Sequence, residues 1–225
     1  MRCRTLAAIA AAACLAGALA APAARAELRV LVPADAAVVA TSPLAVIGSG
    51  ATSALEISVN GKRVQGAKQS GKAFTVNLAL VPGENVVLIK SGEDTKRLIY
   101  SYVPKDPPAG TFRYHPPVAD GDCKVCHPQG VGRTSPVSES RLCSACHEPK
   151  TDAKHLHGPL GTGMCSTCHD PHGSGNPKYL VMSVRALCVQ CHAQSRSKSH
   201  IERSGTKSCP ECHDPHGSDK QYLLY

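Results

Sequence analysis

The feature that most constrains this chain is a pentapeptide that occurs five times in its second half. Its cysteines and histidine fall at Cys123, Cys126 and His127; Cys143, Cys146 and His147; Cys165, Cys168 and His169; Cys188, Cys191 and His192; and Cys209, Cys212 and His213. Every cysteine beyond residue 26 lies in one of these copies. Cys-x-x-Cys pairs also build zinc ribbons and redox disulfides. A ribbon uses such pairs two at a time, and five is odd. Neither alternative needs a histidine directly after each second cysteine. Cys-x-x-Cys-His is the spacing for covalent attachment of c-type haem. The two thiols add to the porphyrin vinyl groups, and the histidine ligates the iron axially. The sequence therefore predicts five covalent haem c groups and a chemistry of single-electron movement.

The N-terminus predicts the compartment. Arg2 and Arg4 precede an apolar, alanine-rich run over residues 6–20, and Ala24-Arg25-Ala26 is an A-x-A cleavage site before Glu27. This reads as a signal peptide over residues 1–26. It is too short for a membrane span, and no later segment is long and apolar enough for a transmembrane helix. Export fits, because haem is attached to c-type cytochromes outside the cytoplasm. The expected location is periplasmic, with outer-membrane association or release to the exterior left open. Cys14 leaves a lipoprotein alternative, although the large aliphatic residue usual three positions earlier is absent.

Charge excludes one partner class. The formal net charge is +8, and the leader arginines Arg2, Arg4 and Arg25 account for three of it. The propionates of five haems would make the mature protein roughly neutral to acidic. With no basic run interleaved with aromatics, the sequence gives no nucleic-acid signal.

Beyond the leader the chain divides in two. Residues 27–103 contain no cysteine or histidine, and they read as all-β. Alternating or continuous apolar runs predict strands at 28–32, 43–47, 55–59, 62–64, 74–80, 86–89 and 98–103. Asn60-Gly61 predicts a tight hairpin, because both turn residues need positive φ. Residues 82–85 predict a second turn. About seven short strands imply a β-sandwich. The stretches "VLVPADAAVVATSPLAVIGSG", "SVNGKRV" and "LVPGENVVLIK" resemble bacterial immunoglobulin-like domains of exported proteins. That resemblance implies a folded spacer or a docking module without chemistry of its own. Residues 104–110 are rich in proline and glycine and predict a semi-stiff linker.

Residues 111–225 hold all five motifs and all eleven histidines. The first cysteines recur every 20 to 23 residues, which is a repeat. So short a unit cannot bury an apolar core, so the porphyrins must be the core, with short helices at the motifs and loops between. Without haem this half should not fold.

The histidine count sets the function class. Five six-coordinate haems need ten axial nitrogens. The motifs supply His127, His147, His169, His192 and His213, leaving His115, His155, His157, His172, His200 and His216. Met164 and Met182 are poorly placed to serve instead. His115, His157 and His200 precede a first cysteine by eight, eight and nine residues, and His172 and His216 each follow a motif histidine by three. "HGPLGTGMCSTCHDPHG" and "HIERSGTKSCPECHDPHG" resemble the doubled-CxxCH family of multihaem cytochromes. The resemblance implies that haems 1 and 2, and haems 3 and 4, form pairs, with haem 5 a half-unit. "CHPQG" over residues 126–130 departs from the family pattern, because no second histidine follows His127, which leaves the distal ligand of haem 2 open.

Loop lengths allow His115, His157 and His200 to swing over their own haems 1, 3 and 5. His172 and His216 lie one turn past His169 and His213 and must reach a neighbour, His172 most simply haem 4. His216 and His155 then compete for haem 2, with His155 the expected surplus residue. Full bis-histidine ligation leaves no open iron position. The leading reading is thus an electron carrier of low potential, which the family resemblance implies acts between quinol-side cytochromes and a terminal reductase or outer-membrane conduit in anaerobic or extracellular respiration. Two alternatives stay open: a reductase with one open haem, and a surface cytochrome that self-assembles into a conductive filament.

Overall fold

A computed structural model describes residues 27–130, 137–192 and 198–225. The expected signal peptide, with Cys14 and the cleavage site, lies outside the described residues.

The first part is built from nine strands. β1 (Arg29–Val32), β3 (Leu44–Ser49), β7 (Ala73–Leu78) and β6 (Lys68–Ser70) form one antiparallel sheet in the order β1-β3-β7-β6. The second sheet runs β2-β9-β8-β4-β5, with β2 (Val38–Val39), β4 (Leu55–Val59), β5 (Lys62–Val64), β8 (Gly83–Ser91) and β9 (Asp94–Tyr102). β2 runs parallel to β9, and the other pairs are antiparallel. β3 reads buried and half-buried in strict alternation from Leu44 to Ser49, as a period of two requires of a strand with one face inward. Leu44, Val46, Phe74 and Leu78 from one sheet meet Ile57, Val87, Ile89 and Tyr100 from the other in a single core. Tyr100 is fully buried, and its hydroxyl donates to the Pro33 carbonyl at 3.0 Å. An unpaired buried hydroxyl would cost about 1–3 kcal/mol.

The hairpin signal appears in the structure as positive φ at Asn60 (50°) and Gly61 (78°). The second turn sits earlier than expected, since β8 begins at Gly83. Buried Asn85 closes that turn, taking the Val81 N–H at 3.0 Å and donating to the Val81 and Gly83 carbonyls at 2.8 and 2.9 Å. β2 and β6 carry too short a pattern to have been read from sequence. The exposed edge strands β5 and β6 carry Lys62, Arg63 and Lys68, charges that oppose strand addition by another chain.

The sandwich core does not stop at the proline-rich segment. Phe112 is 9% exposed and belongs to that core. Its N–H donates to the Val38 carbonyl at 2.8 Å, and its ring meets Tyr114 edge-on at 4.9 Å. The Tyr114 hydroxyl donates to the Ala45 carbonyl. The same segment, β10 (Arg113–Tyr114), then pairs with β12 (Gly173–Ser174) in the motif-bearing part. The chain thus passes from one part to the other through a strand anchored on both.

Beyond Phe112, no apolar side chain is buried by polypeptide alone among the described residues. That part consists of single helical turns and short helices: α1 (Pro116–Ala119), α2 (Glu139–Cys143), α3 (Gly158–Gly161), α4 (Val184–His192) and α5 (Lys198–Ser204). Two ladders join them, β10·β12 and the pair of β11 (His155–Leu156) with β13 (Gly217–Ser218).

Candidate haem-binding sites

Each motif is wound as a helical turn. In four copies the histidine N–H donates to the carbonyl of the first cysteine: His127 to Cys123, His147 to Cys143, His169 to Cys165 and His213 to Cys209, all at 2.9–3.0 Å. Cys188, Cys191 and His192 lie within α4. Residues i, i+3 and i+4 of such a turn share one face, so both sulfurs and the imidazole of each motif point the same way. That is what a porphyrin held by one edge and ligated at its centre requires.

The histidines come in facing pairs. His127 stands opposite His172 with ring centroids 6.3 Å apart, His147 opposite His115 at 6.0 Å, and His169 opposite His216 at 6.2 Å. His192 faces His157 at 5.9 Å, and His213 faces His200 at 6.0 Å. Two imidazoles on opposite sides of one metal, with bonds of about 2 Å to nitrogen and a ring centre roughly 1 Å behind each nitrogen, sit about 6 Å apart. All five spacings fit an iron between the rings. His155 faces no other histidine ring among the described residues. Nor does any group of three or more His, Cys, Asp or Glu there converge in a way that could hold a metal ion without a porphyrin.

These partners differ from the sequence expectation at four histidines. His115 and His157 stand over the motif after the one they precede, facing His147 and His192. His172 and His216 reach back two motifs, to His127 and His169, and not to the fourth and second motifs. The reason lies in how the intervening chain is spent. The seven residues between His115 and Cys123 do not extend over the first motif; α1 and a 3-10 turn at Cys123–Val125 coil the chain up, with the Asp120 and Asp122 backbone N–H groups donating back to the Pro116 and Pro117 carbonyls. Meanwhile the His115 N–H donates to the His172 carbonyl, and the His157 N–H to the His216 carbonyl, both at 2.9 Å. Each ladder therefore sets two histidines side by side, one for each member of a motif pair. His200 lies on α5, where no such ladder forms among the described residues, and it faces its own motif's His213.

Sulfur contacts give the order of the motifs in space. The Cys143 thiol is pushed up to about 11 by burial and then by the Cys165 thiol hydrogen-bonded to it. Cys188 is likewise pushed up to about 11 by burial and then by Cys209. Burial and the nearby Cys146 raise Cys126, and burial and the nearby Cys191 raise Cys168. Motif 1 thus adjoins motif 2, 2 adjoins 3, 3 adjoins 4, and 4 adjoins 5. α2 packs on the Cys165–Thr167 turn and α4 on the Cys209–Glu211 turn. Glu139 fixes the former, accepting from the Ser166 N–H at 2.8 Å.

A second layer of groups holds some of the rings. The Lys178 carbonyl lies 2.8 Å from His169 Nδ1, and the Tyr222 carbonyl 2.7 Å from His213 Nδ1. A carbonyl only accepts, so Nδ1 carries the proton and Nε2 is left to bind metal. Both carbonyls are aimed by left-handed residue pairs, Lys178-Tyr179 and Tyr222-Leu223. Asp170 accepts the His172 N–H at 2.9 Å, and Asp214 the His216 N–H at 2.9 Å. Their carboxylates lie 3.4 Å from the same histidines' Nδ1. Burial pushes the Asp170 carboxyl up, but the bonds from His172 outweigh it and hold the group below its usual range. The sequence reading missed this layer. Its signal is a shared spacing, a serine five residues after the motif histidine and a leucine six further on. In both places the serine hydroxyl donates to the leucine carbonyl, Ser174 to Leu180 at 2.6 Å and Ser218 to Leu224.

A family profile described as the doubled CXXCH motif matches residues 157–197. The match opens at His157 and takes in the third and fourth motifs, so the profile spans one histidine-led pair. Comparison with curated proteins finds no match. The motifs indicate covalently bound haem c, and the doubled motif supports a multihaem c-type cytochrome, consistent with electron transfer. Among the described residues no helix is long and apolar enough to cross a membrane.

Proposed function

We propose that this protein is an exported pentahaem cytochrome that passes electrons along a row of bis-histidine haems between redox partners. The observation that carries this is the set of five facing imidazole pairs, each beside one CxxC thiol pair. Bound haem c supplies a one-electron ferric/ferrous couple. The chain's own residues do the rest. Cys123, Cys126, Cys143, Cys146, Cys165, Cys168, Cys188, Cys191, Cys209 and Cys212 fix the five porphyrin edges. The facing histidines would hold each iron from both sides, which would leave no open position for a substrate. The sulfur contacts string the sites in chain order, which favours transfer from neighbour to neighbour. Ligation by histidine without methionine keeps the potentials low, suited to partners on the quinol side and to a terminal reductase or outer-membrane conduit.

The sandwich reads as an immunoglobulin-like module. Its first strand is divided between the sheets, β1 in one and β2 beside the last strand in the other, which supports that assignment. The leader sequence over residues 1–26 and the attachment chemistry support a location in the periplasm or beyond. Protein-film voltammetry of the holoprotein tests the function. Reversible uptake by every haem is expected, with no catalytic current on adding nitrite, hydroxylamine or peroxide. A catalytic wave with any of them would replace the carrier with an enzyme.

A further inference from the structure

The five imidazole pairs are not alike. His127 and His172 are 5° from parallel and His169 and His216 are 7° from parallel, whereas the other three pairs are turned by 24°, 36° and 39°. The two parallel pairs are the two whose second ring follows Asp-Pro. In both, one carboxylate oxygen takes the backbone N–H of that histidine at 2.9 Å and lies 3.4 Å from its Nδ1. A geometry repeated in two separate loops points to a common task.

The two pairs differ on the motif side. Among the described residues His127 Nδ1 is buried with no hydrogen-bond partner, whereas His169 Nδ1 has the Lys178 carbonyl at 2.8 Å. An acceptor on Nδ1–H pulls the proton outward, makes Nε2 a stronger donor and so favours the ferric over the ferrous state.

Building on the bis-histidine reading, we propose that Asp170 and Asp214 are positioning residues that set the ring plane and donor strength of His172 and His216, and that the haem between His169 and His216, held from both sides, has a lower potential than the haem between His127 and His172. The third member of the row then lies below the first. Reduction is a one-electron ferric-to-ferrous step at each iron, so at partial reduction the first haem would fill before the third.

The test is a spectroelectrochemical titration of the full holoprotein, its five haems counted by intact mass. Asp214→Ala should lower the ferric/ferrous ratio of one component about tenfold at a given applied potential, a rise in its midpoint of about 59 mV for a one-electron couple. Asp214→Asn keeps an acceptor oxygen without the charge and should give a smaller rise. In both, the ferric low-spin EPR signal of one haem should move toward that of rings turned apart. Asp170→Asn should do the same to a different, higher-lying component. In a His216→Ala background, Asp214→Ala should add nothing, because the two act through one ligand. If His216→Ala opens a haem but both Asp214 variants leave all components and the EPR unchanged, this inference falls and bis-histidine ligation stands. If Asp214→Ala fails to load five haems, Asp214→Asn decides. If the Asp170-linked component lies below the Asp214-linked one, the proposed order of the two potentials is overturned. If His216→Ala opens no haem, the ligation reading itself fails.

Discussion

Ending the N-terminal part at Lys105, before the proline-rich segment is complete, should damage it, because the sandwich borrows Phe112 and Tyr114 from beyond that segment. A piece covering residues 27–105 loses a core phenylalanine that is 9% exposed. It also loses the Phe112 N–H bond to Val38 at 2.8 Å and the Tyr114 hydroxyl bond to Ala45. Removing a buried phenylalanine costs about 3–5 kcal/mol, and each hydrogen bond adds about 1 kcal/mol. The sum, about 5–7 kcal/mol, is a large share of the roughly 5–15 kcal/mol that holds a domain together. The assay compares residues 27–105 with residues 27–114 by urea unfolding, followed in the far-ultraviolet circular dichroism. Both should be free of haem, and the longer piece should unfold cooperatively from a β-type spectrum. With a urea slope of about 2 kcal/mol/M, the midpoint of the shorter piece falls by about 2.5–3.5 M. Phe112→Ala in the longer piece should reproduce most of that loss. Superimposable curves for the two lengths would refute the reasoning and restore a simple joint at residues 104–110.

Other consequences bear on the ligands. His115→Ala combined with Cys123→Ser and Cys126→Ser, which remove the first haem, should still create one high-spin haem, read by EPR, because His115 faces His147 and not His127. Replacing His155, which faces no histidine ring among the described residues, should leave the visible spectrum and the haem count unchanged. Residues 111–225 expressed without haem maturation should show neither a cooperative urea transition nor dispersed amide resonances, since beyond Phe112, which the sandwich buries, no apolar side chain is buried by polypeptide alone among the described residues.

The parts of this protein that sequence revealed are those encoded by local chemistry. Cys-x-x-Cys-His fixes a haem site within five residues, and Asn60-Gly61 fixes a turn within two. Alternation carried β3, β4 and β7, whereas two-residue β2 is too short to have a period. The choice of facing histidines was hidden for a different reason. Counting residues from His115 to Cys123 measures reach along an extended chain, but α1 coils that segment and the β10·β12 ladder decides where His115 points. A backbone pairing over residues 113–115 and 172–174 is non-local, and neither segment carries a strand pattern. The carbonyls of Lys178 and Tyr222 were hidden likewise, because left-handed Lys178-Tyr179 and Tyr222-Leu223 contain no glycine to announce them.

Carbon monoxide tests the central claim most directly, because it binds ferrous haem only where an axial position is open. Holoprotein whose intact mass shows five covalent haems is reduced with dithionite, exposed to carbon monoxide, and followed in the Soret band. With all five irons held between facing histidines, the reduced spectrum should not change, and the ferric protein should show only low-spin EPR signals. A carbon monoxide adduct equivalent to one or more haems, or a high-spin ferric signal in the untreated protein, would contradict five bis-histidine sites.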